Sequence, residues 1–208
     1  APKKLPPSET VLKPVPKQPA YVPEPKVSAI DFPVVKKYAN KNWKMSDLLK
    51  KNKILEGSVQ EVFKIASDKI RQTGEILKLT AQKIIEPINV KSVVDDLEKF
   101  AQNQEKIGMK LKANFARQVK NNIGYSKEFL MGGGKIMTEE ALKWKQLFDS
   151  AKFEDPAVAQ MAKEVYKIAG NSFRKIVNKI PEIGKLDDTL TELYAIKDTT
   201  QKAIPEVD

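Results

Sequence analysis

From residue 59 onward the apolar positions recur every three, four or seven residues. Val59, Val62, Phe63, Ala66, Ile70, Leu77, Ala81 and Ile84 form the first such series, the spacing of one face of an amphipathic helix. It predicts a helix over 59–85, about 40 Å long at 1.5 Å per residue. Ser58 and Glu61 stand three apart at its start, as a capping box requires, and Pro87 closes it. A second series, Val93, Leu97, Phe100, Ile107, Leu111, Phe115, Val119 and Ile123, predicts one uninterrupted helix over 91–123. That helix would span roughly 50 Å, opened by Asn89 or Ser92 and ended at Gly124. In succession the two predict a long antiparallel helical hairpin.

The flanking pattern is shorter but of the same kind. Ser46 opens a short helix to about Leu55, with Gly57 suited to the position just past its end. Residues 125–131 hold a further turn or two before Gly132-Gly133-Gly134 breaks the chain. Thr138 is placed to cap a helix over 139–153. Asp155 and Pro156 read as N-cap and first helical residue of the next. Its face is Val158, Ala162, Val165, Ala169, Phe173, Ile176 and Ile180, up to Pro181. A last helix, about 186–203, carries Leu190, Leu193 and Ile196 in phase. No alternating stretch of useful length predicts a strand. The fold class is all-α: an elongated antiparallel bundle of four to six helices. The long hairpin occupies 46–131, and shorter helices over 135–208 complete the bundle, joined to it through the glycines.

Residues 1–45 break this pattern. They hold nine of the thirteen prolines. Proline removes a backbone donor and biases its predecessor away from helix, so the segment reads as an extended, largely polyproline II arm. Its nine lysines against Glu9, Glu24 and Asp31 give +6 of the chain's +10. Apolar residues punctuate it, among them Tyr21, Val22, Phe32, Val34, Val35, Tyr38 and Trp43. A pure spacer has no use for these; an extended apolar strip docks on something. In composition the arm is similar to the Pro/Glu/Val/Lys segments of elastic muscle proteins.

Composition narrows the chemistry. The 208 residues include no His and no Cys. Thiolate nucleophiles, disulfides, thiolate zinc sites, imidazole bases and Ser-His-Asp triads are thereby excluded within the chain. Any metal would need oxygen ligands, and no catalytic, cofactor or metal constellation emerges. No run of eighteen residues lacks a charge, which predicts no transmembrane helix, and the start Ala-Pro-Lys-Lys lacks a signal peptide's apolar region. Gly132-Gly133-Gly134-Lys135 is no phosphate loop: Phe129 stands where a glycine is needed, and Ile136 replaces Ser or Thr. The pairs Asp95-Asp96 and Asp187-Asp188 are adjacent, about 100° apart on a helix, and fit capping near helix starts better than a catalytic dyad.

The remaining signals concern partners. Tyr21, Phe32, Tyr38 and Trp43 are the arm's docking candidates. On an uninterrupted 91–123 helix, Lys106, Lys110, Arg117 and Lys120 would share one outer face, fit for acidic protein surfaces. Nucleic acid is disfavoured, because both charge signs mix along the helices and the aromatics fall in apolar phase. The chain therefore reads as a non-catalytic scaffold subunit of a large intracellular assembly. Accessory subunits of mitochondrial membrane complexes and of muscle-type filaments share this build, and nothing separates mitochondrial from cytoplasmic placement. The alternative is a lipid- or particle-surface coat, since long amphipathic helices generically resemble exchangeable apolipoproteins and phasins.

Overall fold

The computed structural model describes residues 28–29, 32–36, 41–55, 57–151 and 156–204, with backbone alone at 156–158. Tyr21, Tyr38, the Asp155 cap and the Val158 side chain lie outside these residues. Eight helices occur among the described residues: α1 Met45–Lys51, α2 Val59–Lys83, α3 Lys91–Lys106, α4 Lys110–Gly124, α5 Lys127–Met131, α6 Thr138–Ser150, α7 Pro156–Val177 and α8 Pro181–Ala203. Two-residue strands β1 (Ile88–Asn89) and β2 (Lys135–Ile136) pair antiparallel, with Ile88 opposite Ile136. The fold is an all-α bundle.

Local chemistry sets most boundaries. At the start of α2, Ser58 Oγ accepts from the Glu61 backbone N–H, and Glu61 Oε2 accepts from the Ser58 N–H at 2.9 Å, the expected capping box. At the start of α3, Asn89 Oδ1 accepts from Lys91 N–H at 3.0 Å, although Val90 holds the N-cap position. Thr138 does not cap α6. It is the helix's first residue, and its buried hydroxyl makes no hydrogen bond. Pro181 starts α8 at N1 instead of merely ending α7, so the last helix is longer than its apolar phase suggested. Asp187 therefore lies mid-helix and buried, and Asp95-Asp96 lie beyond the first turn of α3.

The single helix expected over 91–123 is two. Gly108 adopts φ +80°, a left-handed conformation that glycine enters without a Cβ penalty. Its N–H donates to Glu105 C=O, and Met109 N–H donates to Gln104 C=O. These two bonds make a Schellman motif, which ends α3 and reverses the chain. α3 and α4 then pack against each other as a short hairpin. Ile107 and Leu111, placed on the inner stripe by the periodicity, are 66% and 78% exposed at its tip. α1 ends the same way, but at Lys53 (φ +53°) and ahead of Gly57. Lys53 N–H donates to Lys50 C=O, and Ile54 N–H to Leu49 C=O.

The tertiary pairing also departs from the expected long hairpin. α2 packs chiefly along α8, and α7 packs on α3, α4 and α6. Val62 and Ala66 near the start of α2 cluster with Leu193, Ala195 and Ile196 near the end of α8. Leu77 and Ala81 share a second cluster with Ile183 at the other end of α8, so the two helices run antiparallel. The halves either side of the glycines therefore interleave, and 46–131 is not a separate hairpin. The glycine turn is tight: Gly134 (φ +88°) is buried, its carbonyl accepts from Val90 N–H, and a Cβ there would collide with the Lys91 side chain. The larger core centres on Phe173, Leu97, Ile123, Val165 and Ile183. Trp144 stacks beside it, its ring 5.7 Å from Phe148 and 6.5 Å from Phe173.

Candidate docking surfaces

The described part of the arm lies on the chain's own body. Ser28 bridges Ser58, Ala29 is fully buried, and its N–H donates to Gly57 C=O at 3.2 Å. Val35 N–H donates to Thr199 Oγ1 at 3.2 Å, and Val34, Val35 and Trp43 pack on the smaller core of α1, α2 and α8. Phe32 is half-buried. Trp43 is also half-buried, with Lys41 Nζ 5.7 Å from its ring centre. The ring thus clasps this stretch of the arm to the body. An extended segment that satisfies its backbone groups on a neighbouring helix end behaves as a strap.

The four cations expected on one face are divided between two helices. Arg117 on α4 forks onto Glu105 of α3, with Nη1 and Nη2 donating at 3.1 and 2.6 Å. Lys120 donates to Glu98 at 2.7 Å. The hydrogen bond from Arg117 holds Glu105 below the usual carboxylate range, and that from Lys120 does the same for Glu98. Glu105 in turn raises the Arg117 guanidinium. Arg117 and Lys120 are thus engaged across the hairpin, tying α3 to α4. Lys106 and Lys110 sit exposed either side of Gly108 and make no ion pair among the described residues. The continuous basic stripe does not exist, because the helix that would carry it is broken.

Two apolar surfaces had no part in the sequence expectation. Ile65, Ile76 and Leu79 are exposed on α2. At 100° per residue they fall within about 60° of one another, roughly 120° round the helix from buried Val59, Ala66 and Leu77. Ile76 and Leu79 lie a turn apart, and exposed Gln72 stands between them and Ile65, so α2 carries a second, interrupted apolar stripe about 20 Å long. Its signal was in the sequence, at spacings of eleven and three, but the deeper stripe dominated the periodicity. The other surface is the α3–α4 tip, with Ile107, Met109 and Leu111.

The charged groups inside the body do structural work. Lys145 Nζ on α6 donates to Asp187 Oδ1 on α8 at 2.8 Å, with side chains only 8% and 6% exposed. Asp187 Oδ2 accepts from Asn178 Nδ2 at 3.1 Å and lies 3.4 Å from Arg174 Nε. Burial works to raise the Asp187 carboxyl. The Lys145 hydrogen bond and charge, with Asn178 and Arg174, outweigh it and leave the group below its ordinary value. Glu192, buried on α8, accepts from Lys51 and Asn52, pinning the end of α1. Ser172 on α7 donates to Asp96 at 2.6 Å, tying α3 to α7.

A half-open cleft of about 410 Å³ between α4, α6 and α7 is lined by Val119, Asn122, Trp144, Leu147, Phe148 and Tyr166. Its walls are aliphatic and aromatic apart from the Asn122 amide, with no carboxylate or amine. Among the described residues no group of three or more Asp or Glu could hold a metal ion. No helix of the described residues is long and apolar enough to cross a membrane. No family model, no curated protein and no solved structure matches the chain.

Proposed function

We propose that this protein is a non-catalytic structural subunit of a larger protein assembly, and that the outer stripe of α2 seats an amphipathic helix of another subunit. One observation carries this reading: Ile76 and Leu79, a helical turn apart and in line with Ile65, are exposed on the outer side of a helix whose inner face is already packed against α8. A packed body leaves such a patch for a partner, and helix-in-groove recognition uses the kind of one-turn step that separates Ile76 from Leu79. The net charge of +10 favours acidic partners and makes encounter salt-sensitive. An accessory subunit of a mitochondrial membrane complex and one of a muscle-type filament both fit this build. The coat reading requires the helices to open and lay their inner faces on a surface. The interhelical ion pairs and interleaved pairing favour a body that stays closed.

The test is the native mass of the chain in gentle extracts of its source cells. A structural subunit migrates with a defined set of other polypeptides at fixed stoichiometry. Ile76→Glu/Leu79→Glu releases it to its own 23.4 kDa, while the purified variant unfolds at the wild-type urea midpoint. A wild-type chain migrating alone overturns the reading.

A further inference from the structure

We infer that the α3–α4 tip is a wedge that enters anionic lipid surfaces, independently of the assembly role and without opening the bundle. From Gln102 to Leu111 no residue is buried: all are exposed except Gln104, which is half-buried. The buried positions resume only at Ala101 and Ala113. The turn therefore projects from the body, with the Schellman bonds at Gly108 fixing its shape. On it Ile107, Met109 and Leu111 are 66%, 48% and 78% exposed.

The charges around these side chains select the occupant. Lys106 and Lys110 interleave with the apolar residues and make no ion pair among the described residues. The one carboxylate on the turn, Glu105, is held by Arg117, and Lys112 reaches away to Glu164 of α7 at 2.8 Å. What remains outward is two ammonium groups around three apolar side chains. A convex apolar tip gains little from a protein surface without a matching pocket, whereas a bilayer closes around any small wedge. Apolar side chains bury at the acyl boundary while lysines stay at the level of anionic headgroups. Each such lysine strengthens the attraction, and two signals together hold better than one.

The absence of cysteine from the chain allows a clean test. A single cysteine in place of Met109 in the full chain carries an environment-sensitive dye, and a second protein carries it at Gln82 on α2. Each is titrated at physiological salt with phosphatidylcholine vesicles, with and without about a third phosphatidylserine. The expected result is a blue shift at position 109 with anionic vesicles only, none at 82, and unchanged far-UV circular dichroism. Lys106→Gln/Lys110→Gln should weaken partitioning roughly 30-fold at the usual worth of a juxtamembrane lysine. Ile107→Gln/Leu111→Gln should weaken it at least about tenfold, by loss of apolar burial. All four side chains are exposed, so both variants should unfold as the wild type does. The basic arm can also hold the chain to vesicles by charge, but that leaves the dye at 109 unshifted and overturns the inference. So does equal shifting at 82, which would mean that the helices open. So does capture of an acidic protein partner through the tip with no shift on any vesicle.

Discussion

Replacing Asp187 with Asn should destabilise the fold more than any surface change, because it strands a buried ammonium group. Lys145 is 8% exposed and its close partner is Asp187 Oδ1 at 2.8 Å. Asparagine keeps the shape and one acceptor but removes the charge. Removing one member of a buried ion pair costs about 3–5 kcal/mol. Lys145 retains Asp149 at 3.3 Å, a carboxylate 37% exposed and shared with Arg174, so a loss of about 2–4 kcal/mol is expected. Lys145→Met should cost less, about 1–3 kcal/mol, because Asp187 keeps Arg174 and Asn178. Lys145→Met/Asp187→Asn removes both charges together and closes the cycle. It should cost clearly less than the sum of the singles, since the asparagine then strands no buried ammonium group. Urea unfolding followed by circular dichroism at pH 7 measures all four proteins. A cost under about 1 kcal/mol for Asp187→Asn, or strict additivity in the cycle, would refute the assignment of the pair as a buried pin between α6 and α8.

Other consequences follow from the same geometry. Lys53 holds a left-handed conformation that costs a side chain about 1 kcal/mol. Lys53→Gly should therefore raise the urea-derived stability by about 0.5–1 kcal/mol despite the added chain entropy. Gly108→Ala puts a Cβ at φ +80° and should lower stability by about 1 kcal/mol, seen as a lower urea midpoint. Ser58→Ala removes half of the capping box and should cost about 1 kcal/mol by the same assay. Asp187, Glu98, Glu105 and Glu139 all lie below the usual carboxylate range when folded. Their stabilisation is full above the unfolded values near pH 4 and is lost as pH falls through the folded values, so the urea midpoint should drop below about pH 4. Asp187→Asn should flatten that drop, since the three glutamates are far more solvent-screened.

The parts legible in the sequence are those governed by neighbours a turn away. The Ser58–Glu61 cap, the buried faces of α2 and α7 and the all-α class follow from local spacing. The break at Gly108 was legible too, but the surrounding apolar series reads straight through it. That misreading placed Lys106, Lys110, Arg117 and Lys120 on one stripe and turned Ile107 and Leu111 inward. Their exposure belongs to the hairpin that Gly108 creates. Lys145 and Asp187 sit at apolar-phase positions of their helices, and a charge at such a position is itself a sign of a buried partner. Which partner it finds depends on α6 meeting α8, a packing between distant parts of the chain. The same holds for α2 lying along α8, and for Ala29, Val34 and Val35 of the arm strapping onto α1, α2 and α8. Periodicity gives each helix a face but does not say which face it meets.

The proposed assembly role rests most directly on the outer stripe of α2. The decisive measurement is site-specific photo-crosslinking in living source cells, with the photoreactive residue in place of Ile76, of Leu79, or of exposed Lys167 on α7. The account predicts that positions 76 and 79 both link to one and the same polypeptide, through peptides a helical turn apart in that partner, while position 167 does not. Equal labelling from all three positions, or none from 76 and 79, would contradict it.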